Sequence, residues 1–552
     1  MDENNLLVHQ YIEKQAILSA IETFSQKHDE DVFEKDQKKY QELLPSRAPG
    51  KGQQYAFEVA LDKCTGCKAC VTGCHNENGL EEDETWRSVG LVQGGTNGNS
   101  AIQHITSACH HCVEPACMSG CPTKAYVKDD DTGIVKHLDD QCFGCQYCIL
   151  KCPYDVPKYN KKKGIVHKCD MCVGRLEVGQ APACVRACPN GAIKIRLVDL
   201  AEVKKNAKEY VDVPDSPDSN YTFPTTKYTS SQKIPENMGS VDYFSIKPEH
   251  SHLPLVFMLV LTQLSVGAYL AEGFLQKFID SSLAATLLPF HALVALVVGF
   301  VALNSSVFHL GRPLYAFRAI LGFKTSWLSR EIIAFGIFAF LSTLYAAVVW
   351  FSPLSILMGA FGEEILPVLV FGFGVIGILC SVFVYKDTKR PFWDHPATTV
   401  KYFLTMIILG FATILLSSMI YAYFNSDIHL SYLMLSFGNT FCLVHGVMVS
   451  IKLFFEGAVF VHLNDKEMTP FKKTALLMTG PLRKTTIWRF VCGFIGGIFM
   501  PFLLMQNNTQ VSDFTLIFIA SFVFLFSLVG EFLERYLFFR AVVPLKMPGG
   551  NL

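Results

Sequence analysis

The start of the chain has none of the features of a secretion signal. Its first residues, MDENNLLVHQ, are acidic and include no basic segment, apolar segment or twin arginine, so export is not expected. The sequence also has no Walker loop and no strand-anchored GxGxxG, and nothing in it indicates nucleic-acid binding. The net charge of −1 does not point to a partner, because residues 1–250 are polar and residues 254–540 are mainly apolar.

What the sequence does have is cysteine in a regular arrangement. Most of its 19 cysteines fall in four groups, and groups one and three have the C-x2-C-x2-C-x3-C spacing of bacterial iron–sulfur ferredoxins. A proline follows the last cysteine of three groups. Sixteen thiolates are enough for four [4Fe-4S] clusters, which predicts a path for electrons. The groups are Cys64, Cys67, Cys70 and Cys74; Cys109, Cys112, Cys117 and Cys121; Cys142, Cys145, Cys148 and Cys152; and Cys169, Cys172, Cys184 and Cys188.

Disulfides and zinc are the alternatives to iron. Disulfide frameworks suit small secreted domains, and this sequence shows no export signal. Zinc sites usually need two cysteine pairs rather than triplets with a distant fourth cysteine, so iron–sulfur clusters are the prediction. The other cysteines, Cys380, Cys442 and Cys492, stand singly in apolar stretches and are expected to pack as small hydrophobic residues.

Composition and periodicity divide the chain into four segments. Short strands are predicted at residues 55–61, 133–138 and 192–197, around the cysteine groups. A helical pattern in residues 1–45 fits either a docking arm for a partner or a helix packed on its own domain. The predicted segments are an N-terminal helical arm and linker (1–54), a four-cluster ferredoxin-like domain (55–200), an extended linker (201–252) and a membrane anchor (253–552).

Eight apolar stretches in the anchor are long enough to span a membrane. An even number of spans puts both termini and loops 2–3, 4–5 and 6–7 on one side. Those loops are rich in Lys and Arg, such as Arg312, Lys389 and Lys472, whereas the opposite loops are mainly acidic. The positive-inside rule then predicts a multi-pass protein of the bacterial inner membrane with its cluster domain on the cytoplasmic face. The predicted spans are 254–276, 283–308, 331–352, 365–386, 398–423, 430–452, 487–505 and 514–539.

Ionisable residues near the ends of spans are candidates for a quinol site. Oxidation of a quinol releases two protons with its two electrons, and histidine and carboxylate side chains can take such protons. His309, at the close of span 2, and Glu331, which opens span 3, are the best pair. The alternatives are that His309 bonds a neighbouring carbonyl and that Glu331 caps a helix. His445 is expected to be a packed histidine, and Glu272 is expected to reach towards the outer surface.

With these motifs in hand, the chain resembles a fusion of two subunits of the dimethyl sulfoxide reductase family. Residues 55–200 resemble its electron-transfer subunit, and residues 254–540 resemble its eight-span anchor. The anchor resemblance is carried by HLGRPLYAFRAILGFKTSWLSREI, residues 309–332, and more weakly by GEFLERYLFFR. The expected fold is therefore a duplicated α+β ferredoxin-like domain with four [4Fe-4S] clusters, followed by an all-α eight-helix transmembrane bundle.

The resemblance also implies that each cluster draws its fourth ligand from another group. It implies menaquinol from the membrane quinone pool as the donor, and a separate catalytic subunit that carries molybdopterin and reduces a small oxo-substrate. The implied ligand sets are Cys64, Cys67 and Cys70 with Cys188; Cys169, Cys172 and Cys184 with Cys74; Cys109, Cys112 and Cys117 with Cys152; and Cys142, Cys145 and Cys148 with Cys121.

Other functions stay open at the level of sequence. The family usually encodes the two parts separately and its respiratory members usually face the periplasm, so a nitrate-type reductase is an alternative to a dimethyl sulfoxide-type enzyme. The same clusters can carry electrons towards quinone, as in polysulfide-type or formate-type complexes. An ion-translocating module and a cluster-bearing scaffold without a quinone site are the remaining possibilities. In each case the chain is a redox subunit, and substrate reduction belongs to a partner.

Overall fold

The computed structural model describes residues 42–96, 99–232, 234–235, 237–425, 428–506 and 511–549. Most of the helix predicted within residues 1–45 lies outside these residues. The described residues form a small α+β domain that carries the cysteine groups, here called the cluster domain, and a bundle of long helices.

Short strands build the cluster domain. They form two three-stranded sheets, with strand orders β8-β1-β9 and β10-β2-β3, and two ribbons, β4-β5 and β6-β7. The strands are β1 (Gln53–Ala60), β2 (Ser88–Thr96), β3 (Asn99–Ser107), β4 (Tyr126–Lys128), β5 (Val135–His137), β6 (Lys158–Asn160), β7 (Ile165–His167), β8 (Ile193–Asp199), β9 (Lys227–Thr229) and β10 (Gly239–Ser240).

The sheets close the domain around the cysteines. Strand β1 buries Ala56, Phe57 and Val59, and it pairs with β8 in antiparallel fashion, so that Tyr55 lies opposite Leu197. The first and last strands of the predicted domain are therefore neighbours. The helices between them are short: α1 (Ala69–Asn78), α2 (Ala116–Gly120), α3 (Tyr147–Lys151), α4 (Val173–Glu177), α5 (Ala183–Arg186) and α6 (Leu200–Lys205), with single 3-10 turns at Leu61–Lys63, Ala207–Glu209 and Ser219–Tyr221.

The segment predicted as an extended linker, 201–252, is bound along the cluster domain. It contributes β9, which runs parallel to β1, and β10, which pairs with β2. Tyr210, Val211 and Thr225 are buried. The lack of a long helical period in this segment fits these contacts, because its buried residues pack against the cluster domain rather than along a long helix.

The described residues include eight helices that are long and apolar enough to cross a membrane, which confirms the predicted number. Span 4 contains a break at Gly359, where φ is +50°, and spans 4, 6 and 7 each contain a π-helical turn. The spans are 1 (Leu253–Leu275), 2 (Ser281–Val307), 3 (Trp327–Trp350), 4 (Pro353–Lys386), 5 (Pro396–Phe424), 6 (Leu430–Asn464), 7 (Arg483–Gln506) and 8 (Asp513–Arg540).

Spans 1 and 5 form the centre of the bundle, since they are its most buried helices. They cross where Gly267 meets Gly410: a β-carbon on Gly267 would lie 1.9 Å from the carbonyl oxygen of Met406, and one on Gly410 would lie 2.1 Å from that of Gly267. Small residues at such crossings let two helix backbones approach closely in a membrane.

Charged side chains meet inside the bundle at the end nearest the cluster domain. Arg489 binds Glu456 through two hydrogen bonds of 2.7 Å and reaches Glu531 at 3.1 Å, and Lys452 donates to the same Glu531. Paired charges of this kind fix the packing of helices in an apolar environment, because a charge left alone there is costly. The group comprises Lys401, Lys452, Glu456, Arg489, Glu531, Glu534 and Arg535.

Two sequence expectations about single polar residues have different outcomes. His445 is packed as expected, with Nδ1 at 3.1 Å from the carbonyl oxygen of Ile408 and Nε2 at 3.1 Å from the Ser527 hydroxyl. The expectation that Glu272 reaches the surface is wrong, because its side chain is buried and accepts a hydrogen bond from Tyr345.

The connection between spans 2 and 3 docks the cluster domain onto the bundle. It contains a 3-10 helix (Pro313–Gly322) with Leu314 and Phe317 exposed, as expected for a segment lying at a membrane interface. Arg312 donates to the carbonyl oxygen of Asp139 at 2.9 Å, and the backbone N–H of Gly322 donates to that of Pro122 at 2.7 Å. We call residues 309–322 the docking segment.

Gly311 is the closest point of this contact. A β-carbon at Gly311 would lie 2.0 Å from the carbonyl oxygen of Gly164 and 2.7 Å from the hydroxyl of Tyr159. Gly311→Ala is therefore expected to destabilise the docked arrangement by about 1–3 kcal/mol. The thermal unfolding midpoint should fall, while Gly372→Ala, where a β-carbon meets no atom within 4 Å, should leave it unchanged. Equal midpoints for the two variants would contradict the close contact.

The last described residues return to the cluster domain. Lys546 forms a 2.5 Å ion pair with Asp242, and the N–H of Gly549 donates to the Ser240 hydroxyl at 2.8 Å. Met547 is buried in the core of the cluster domain. Residues 541–549, which we call the tail, therefore connect span 8 with the sheet that contains β2 and β10.

Candidate functional site

The four cysteine groups share a local backbone conformation. In each group, the residue before the second cysteine has a positive φ: Gly66 (+73°), His111 (+41°), Gly144 (+74°) and Met171 (+61°). This left-handed residue turns the chain so that successive cysteines can face one centre. Because all four groups turn at the same position, the internal repeat seen in the sequence is also a repeat of structure.

The structure brings the fourth cysteine of each group next to cysteines of another group. Burial raises the pKa of Cys142, Cys145 and Cys148, and charge repulsion from Cys121 raises it further. The other three groups show the same charge repulsion. Cys188 raises the pKa of Cys64 and Cys70. Cys152 raises the pKa of Cys112 and Cys117, and Cys74 raises that of Cys169. We name the neighbourhoods by their first cysteine: the Cys142 set (with Cys145, Cys148, Cys121), the Cys109 set (with Cys112, Cys117, Cys152), the Cys169 set (with Cys172, Cys184, Cys74) and the Cys64 set (with Cys67, Cys70, Cys188).

The chemistry of these sets fits iron–sulfur clusters. None of the sixteen cysteines forms a disulfide. In the described part of the chain, no three His, Cys, Asp or Glu side chains are gathered as a single-ion site such as zinc requires. Backbone N–H groups point at the sulfurs, for example from Ala125 to Cys121 and from Ala192 to Cys188, both at 3.2 Å. Hydrogen bonds of this kind tune the potentials of iron–sulfur clusters.

Two buried cations stand between the sets. Burial disfavours the charge of Arg87, but the nearby Cys184 and Cys70 raise its pKa above the usual value. Lys168 is also fully buried, and Cys109 and Cys117 raise its pKa in spite of burial; its Nζ lies 3.7 Å from the sulfur of Cys109. Neither Arg87 nor Lys168 is predicted from the sequence, because no spacing rule marks a single Arg or Lys as the partner of a thiolate.

Contacts between neighbouring sets give their order along the domain. Tyr126 lies beside Cys148 and Cys121 of the Cys142 set and beside Cys117 of the Cys109 set. Cys109 in turn neighbours Cys169. The Cys169 set meets the Cys64 set through Cys184 and Cys70. The four sets therefore follow one another from the Cys142 set to the Cys64 set, in which Cys67 is exposed.

A cavity of about 290 Å³ lies between the Cys142 set and the membrane bundle. We call it the quinol cavity, after the ligand proposed for it below. Cys145, His309 and Glu331 all line it, so the structure brings together the two residues predicted for a quinol site and one cysteine. The rest of the lining is mainly apolar, as in most pockets for small hydrophobic ligands, and it comes from spans 1 to 4, the docking segment and the cluster domain.

His309 is held by the cluster domain. Its Nε2 lies 3.3 Å from the carbonyl oxygen of Cys145. A carbonyl can only accept a hydrogen bond, so Nε2 carries the hydrogen and Nδ1 of the neutral ring is left as an acceptor. Burial lowers the pKa of His309 to about 4, which keeps the ring neutral near pH 7. The carbonyl contact considered from the sequence is therefore present, and it orients the ring.

Glu331 does not cap span 3, which begins at Trp327 after an N-cap at Ser326. Its carboxyl group is buried and accepts a hydrogen bond from Ser381 of span 4. Tyr147, which also lines the cavity, donates to the carbonyl oxygen of Val384 at 2.9 Å. Ser381 and Tyr147 were not predicted, since a serine and a tyrosine give no signal in a single sequence.

The basic run near Lys158 is paired within the cluster domain. Lys158 contacts Asp155 at 2.6 Å, and Lys162 contacts Glu81 at 2.5 Å.

Two family descriptions match this protein. "4Fe-4S dicluster domain" matches residues 101–197, and "DMSO reductase anchor subunit (DmsC)" matches residues 248–540, more than half of the sequence. The chain thus belongs to the DMSO reductase anchor subunit family. The resemblance drawn from residues 309–332 is thereby confirmed, and the chain is a multi-pass membrane protein with iron–sulfur clusters.

The cluster domain of this DmsC family member has relatives of its own. It is 35% identical over 179 residues to the B subunit of the anaerobic dimethyl sulfoxide reductase of Escherichia coli (strain K12), covering 31% of this chain and 86% of that protein. The B subunit of the Haemophilus influenzae enzyme is 36% identical over 161 residues, 28% of this chain and 78% of that protein. "Hydrogenase-2 operon protein HybA" of Escherichia coli O157:H7 is 37% identical over 189 residues, 29% of this chain and 56% of that protein. The chain is thus a fusion of an iron–sulfur subunit and an anchor subunit, which transfers electrons at the membrane.

Proposed function

We propose that this chain takes electrons from menaquinol and passes them through four [4Fe-4S] clusters to a catalytic partner that carries molybdopterin and reduces a small oxo-substrate of dimethyl sulfoxide or nitrate type. The observation that carries the proposal is the meeting of Cys145, His309 and Glu331 at the quinol cavity. At this cavity, His309 is the proton acceptor, Glu331 is the second polar group and Cys145 is the cluster ligand. All three border one apolar space of suitable size.

Each cysteine set supplies the four thiolates of one cluster in this proposal. The clusters, when bound, accept and pass on single electrons. Arg87 and Lys168 offset part of the negative charge of the thiolates around them. Electrons enter at the Cys142 set, beside the quinol cavity, and leave from the Cys64 set, where Cys67 is exposed. The surface around Cys67 is therefore the proposed face for the catalytic partner.

At the quinol cavity, the two polar side chains divide the work of deprotonation. His309 accepts the proton of one quinol hydroxyl at Nδ1, and Glu331 accepts the proton of the other, while Ser381 holds the carboxylate. Both O–H bonds break, two electrons leave by way of the Cys142 set, and quinone remains. The apolar lining contributed by Leu255, Met258 and Phe335 keeps bulk water away from the reacting oxygens.

The proposed cytoplasmic orientation of the cluster domain is supported by the basic loops. Arg318 of loop 2–3 donates to the carbonyl oxygen of Asp140 at 2.7 Å, and Lys473 of loop 6–7 lies 4.9 Å above the ring of Tyr243. The loops rich in Lys and Arg thus contact the cluster domain, and the positive-inside rule assigns that side to the cytoplasm. Protons released and consumed on this one side would make turnover electroneutral.

A second candidate function runs the same path in the opposite direction, from a catalytic partner into quinone. It is favoured by the similarity of the cluster domain to HybA and to the iron-sulfur subunit of "Formate dehydrogenase, nitrate-inducible" from Escherichia coli, at 33% identity over 178 residues. The residues that hold the quinone are the same in both directions, because His309 and Glu331 would then donate the two protons.

The purified full-length protein tests the proposal. A reduced menaquinone analogue should bleach the visible absorption of the oxidised clusters, and a fluorescent quinone analogue should be quenched on binding. Rapid quinone reduction by dithionite-reduced protein, without cluster reduction by quinol, would favour the second candidate. A protein that neither binds the analogue nor exchanges electrons with it is a scaffold, and the proposal is then wrong.

A further inference from the structure

His252 lies between two cavities. It lines the quinol cavity, and it also lines a second cavity of about 450 Å³ between the cluster domain and the bundle. The second cavity is the more polar one, because Asp155, Glu249 and Arg390 contribute to its wall. We call it the polar cavity. A space of this size and polarity can hold several hydrogen-bonded water molecules.

Three histidine rings form a row from one cavity to the other. The ring of His309 lies 5.2 Å from that of His252, centroid to centroid, and the ring of His252 lies 4.7 Å from that of His250. His250 is exposed and lines the polar cavity. The row therefore begins at the proposed proton acceptor and ends at water.

The local backbone explains how two of these rings come together. His252 precedes span 1 and has a left-handed backbone, with φ of +45°. Its N–H donates to Nδ1 of His250 at 3.2 Å. This turn places both histidines at the entrance of the span, beside the end of span 2 where His309 lies. The Nδ1 atom of His252 is buried and has no hydrogen-bond partner among the described residues.

We propose that His252 and His250 carry a proton from the quinol cavity to the polar cavity, so that electron and proton leave the quinol in different directions. This inference rests on the proposed function. One quinol O–H bond breaks at His309, its proton moves through His252 and His250 to water, and one electron would go to the oxidised [4Fe-4S] cluster that the Cys142 set would hold. The second O–H bond then breaks at Glu331, the second electron would follow the same path, and quinone remains. Nothing else is consumed in the step.

The ring of His252 is neutral at rest. Burial lowers its pKa to about 3, and the neighbouring His309, His250 and Arg390 add to the effect. A neutral imidazole can accept a proton on one nitrogen and release another from the second, which a permanently charged group cannot do. On the far side of the row, the Glu249 side chain, whose pKa is raised by burial, lines the polar cavity and can exchange protons with water there.

The position of the electron path makes the separation of charges possible. His309 touches the carbonyl of Cys145 on one side and the ring of His252 on the other. The His309 side chain thus lies beside both the proposed path of the electron and the proposed path of the proton. The ionic group around Glu531 offers no such exit from this cavity, because its members do not line it.

The test uses the purified full-length protein and His252→Gln, which keeps an amide for hydrogen bonding but cannot relay a proton. Cluster reduction by a menaquinol analogue, followed by stopped-flow absorbance, should slow by about 10²-fold or more. Reduction by dithionite and quenching of the fluorescent quinone analogue should not change. Imidazole added to the buffer should restore part of the rate by entering the polar cavity, and the solvent deuterium isotope effect should rise.

His395→Gln is the matched control, since His395 also stands immediately before a span and is exposed at the same side of the bundle, but does not line the quinol cavity. It should behave like wild type. A wild-type rate for His252→Gln overturns the relay. A slow rate also overturns the relay if imidazole does not restore it and binding of the quinone analogue is lost. His252 would then only shape the cavity.

The failure of this inference can be told from a failure of the proposed function. If His309→Ala abolishes quinol oxidation and His252→Gln does not affect it, the quinol site stands and the relay is wrong. If neither variant changes the reaction with quinol, the quinol site itself is misplaced.

Discussion

His309→Ala is expected to lower the rate of cluster reduction by menaquinol by about 10²–10⁴-fold. The ring is the proposed acceptor for one quinol proton, and its Nε2 is already occupied by the carbonyl of Cys145. Glu331→Gln should produce a comparable loss, because an amide can accept the hydrogen bond of Ser381 but cannot take the second proton. Stopped-flow bleaching of the clusters by a quinol analogue measures both effects.

Two comparisons separate a lost quinol site from a damaged protein. Dithionite reaches the clusters without the quinol cavity, so both variants should be reduced by it at the wild-type rate. His395→Ala, away from the cavity, should keep full quinol activity. Unchanged quinol kinetics in His309→Ala would show that quinol is oxidised elsewhere, and loss of dithionite reduction would mean that the variant has lost clusters.

The second large effect concerns the ligand sets. Cys109→Ala and Cys152→Ala are each expected to remove one cluster and to stop electron flow from quinol to the Cys64 set. Because both cysteines belong to the Cys109 set, the double variant should lose no more iron than either single variant. Iron analysis and low-temperature electron paramagnetic resonance of the dithionite-reduced protein measure the loss.

A second double variant makes the test decisive. Cys148 and Cys152 are neighbours in the sequence but lie in different sets, so Cys148→Ala with Cys152→Ala should remove two clusters. Ligation within each sequence group predicts the reverse: one cluster lost for the pair 148 and 152, and two for the pair 109 and 152. The observed order of iron contents therefore decides between the two ligation schemes without any assignment of individual signals.

Much of this molecule could be predicted because its signals are local. The spacing of cysteines, the length of apolar stretches and the concentration of Lys and Arg in alternate loops are each read within a few residues of sequence. His309 and Glu331 are predicted as site residues for a similar reason. Each is an ionisable residue beside an apolar stretch, where the cost of a charge gives it a functional meaning.

What could not be predicted depends on contacts between distant parts of the chain. Gly311 is an ordinary loop glycine until Gly164 lies against it. His252 was assigned to the end of a linker, and its proposed role depends on the neighbouring ring of His309. Arg489 was not singled out, because an arginine at the start of a span is also common as an anchor at the membrane surface.

The tail has a consequence for how this complex is assembled. Besides the docking segment, two parts of the same polypeptide connect the cluster domain to the bundle: the chain before span 1, and the tail after span 8, where Lys546 and Gly549 bind it. A contact within one polypeptide does not weaken on dilution, because its effective concentration is set by the length of the connection and not by the amount of protein. When separate polypeptides supply these two parts, part of the complex dissociates at low abundance. In the proposed function, the site where electrons enter would then be complete in every molecule, and only the catalytic partner would have to be recruited.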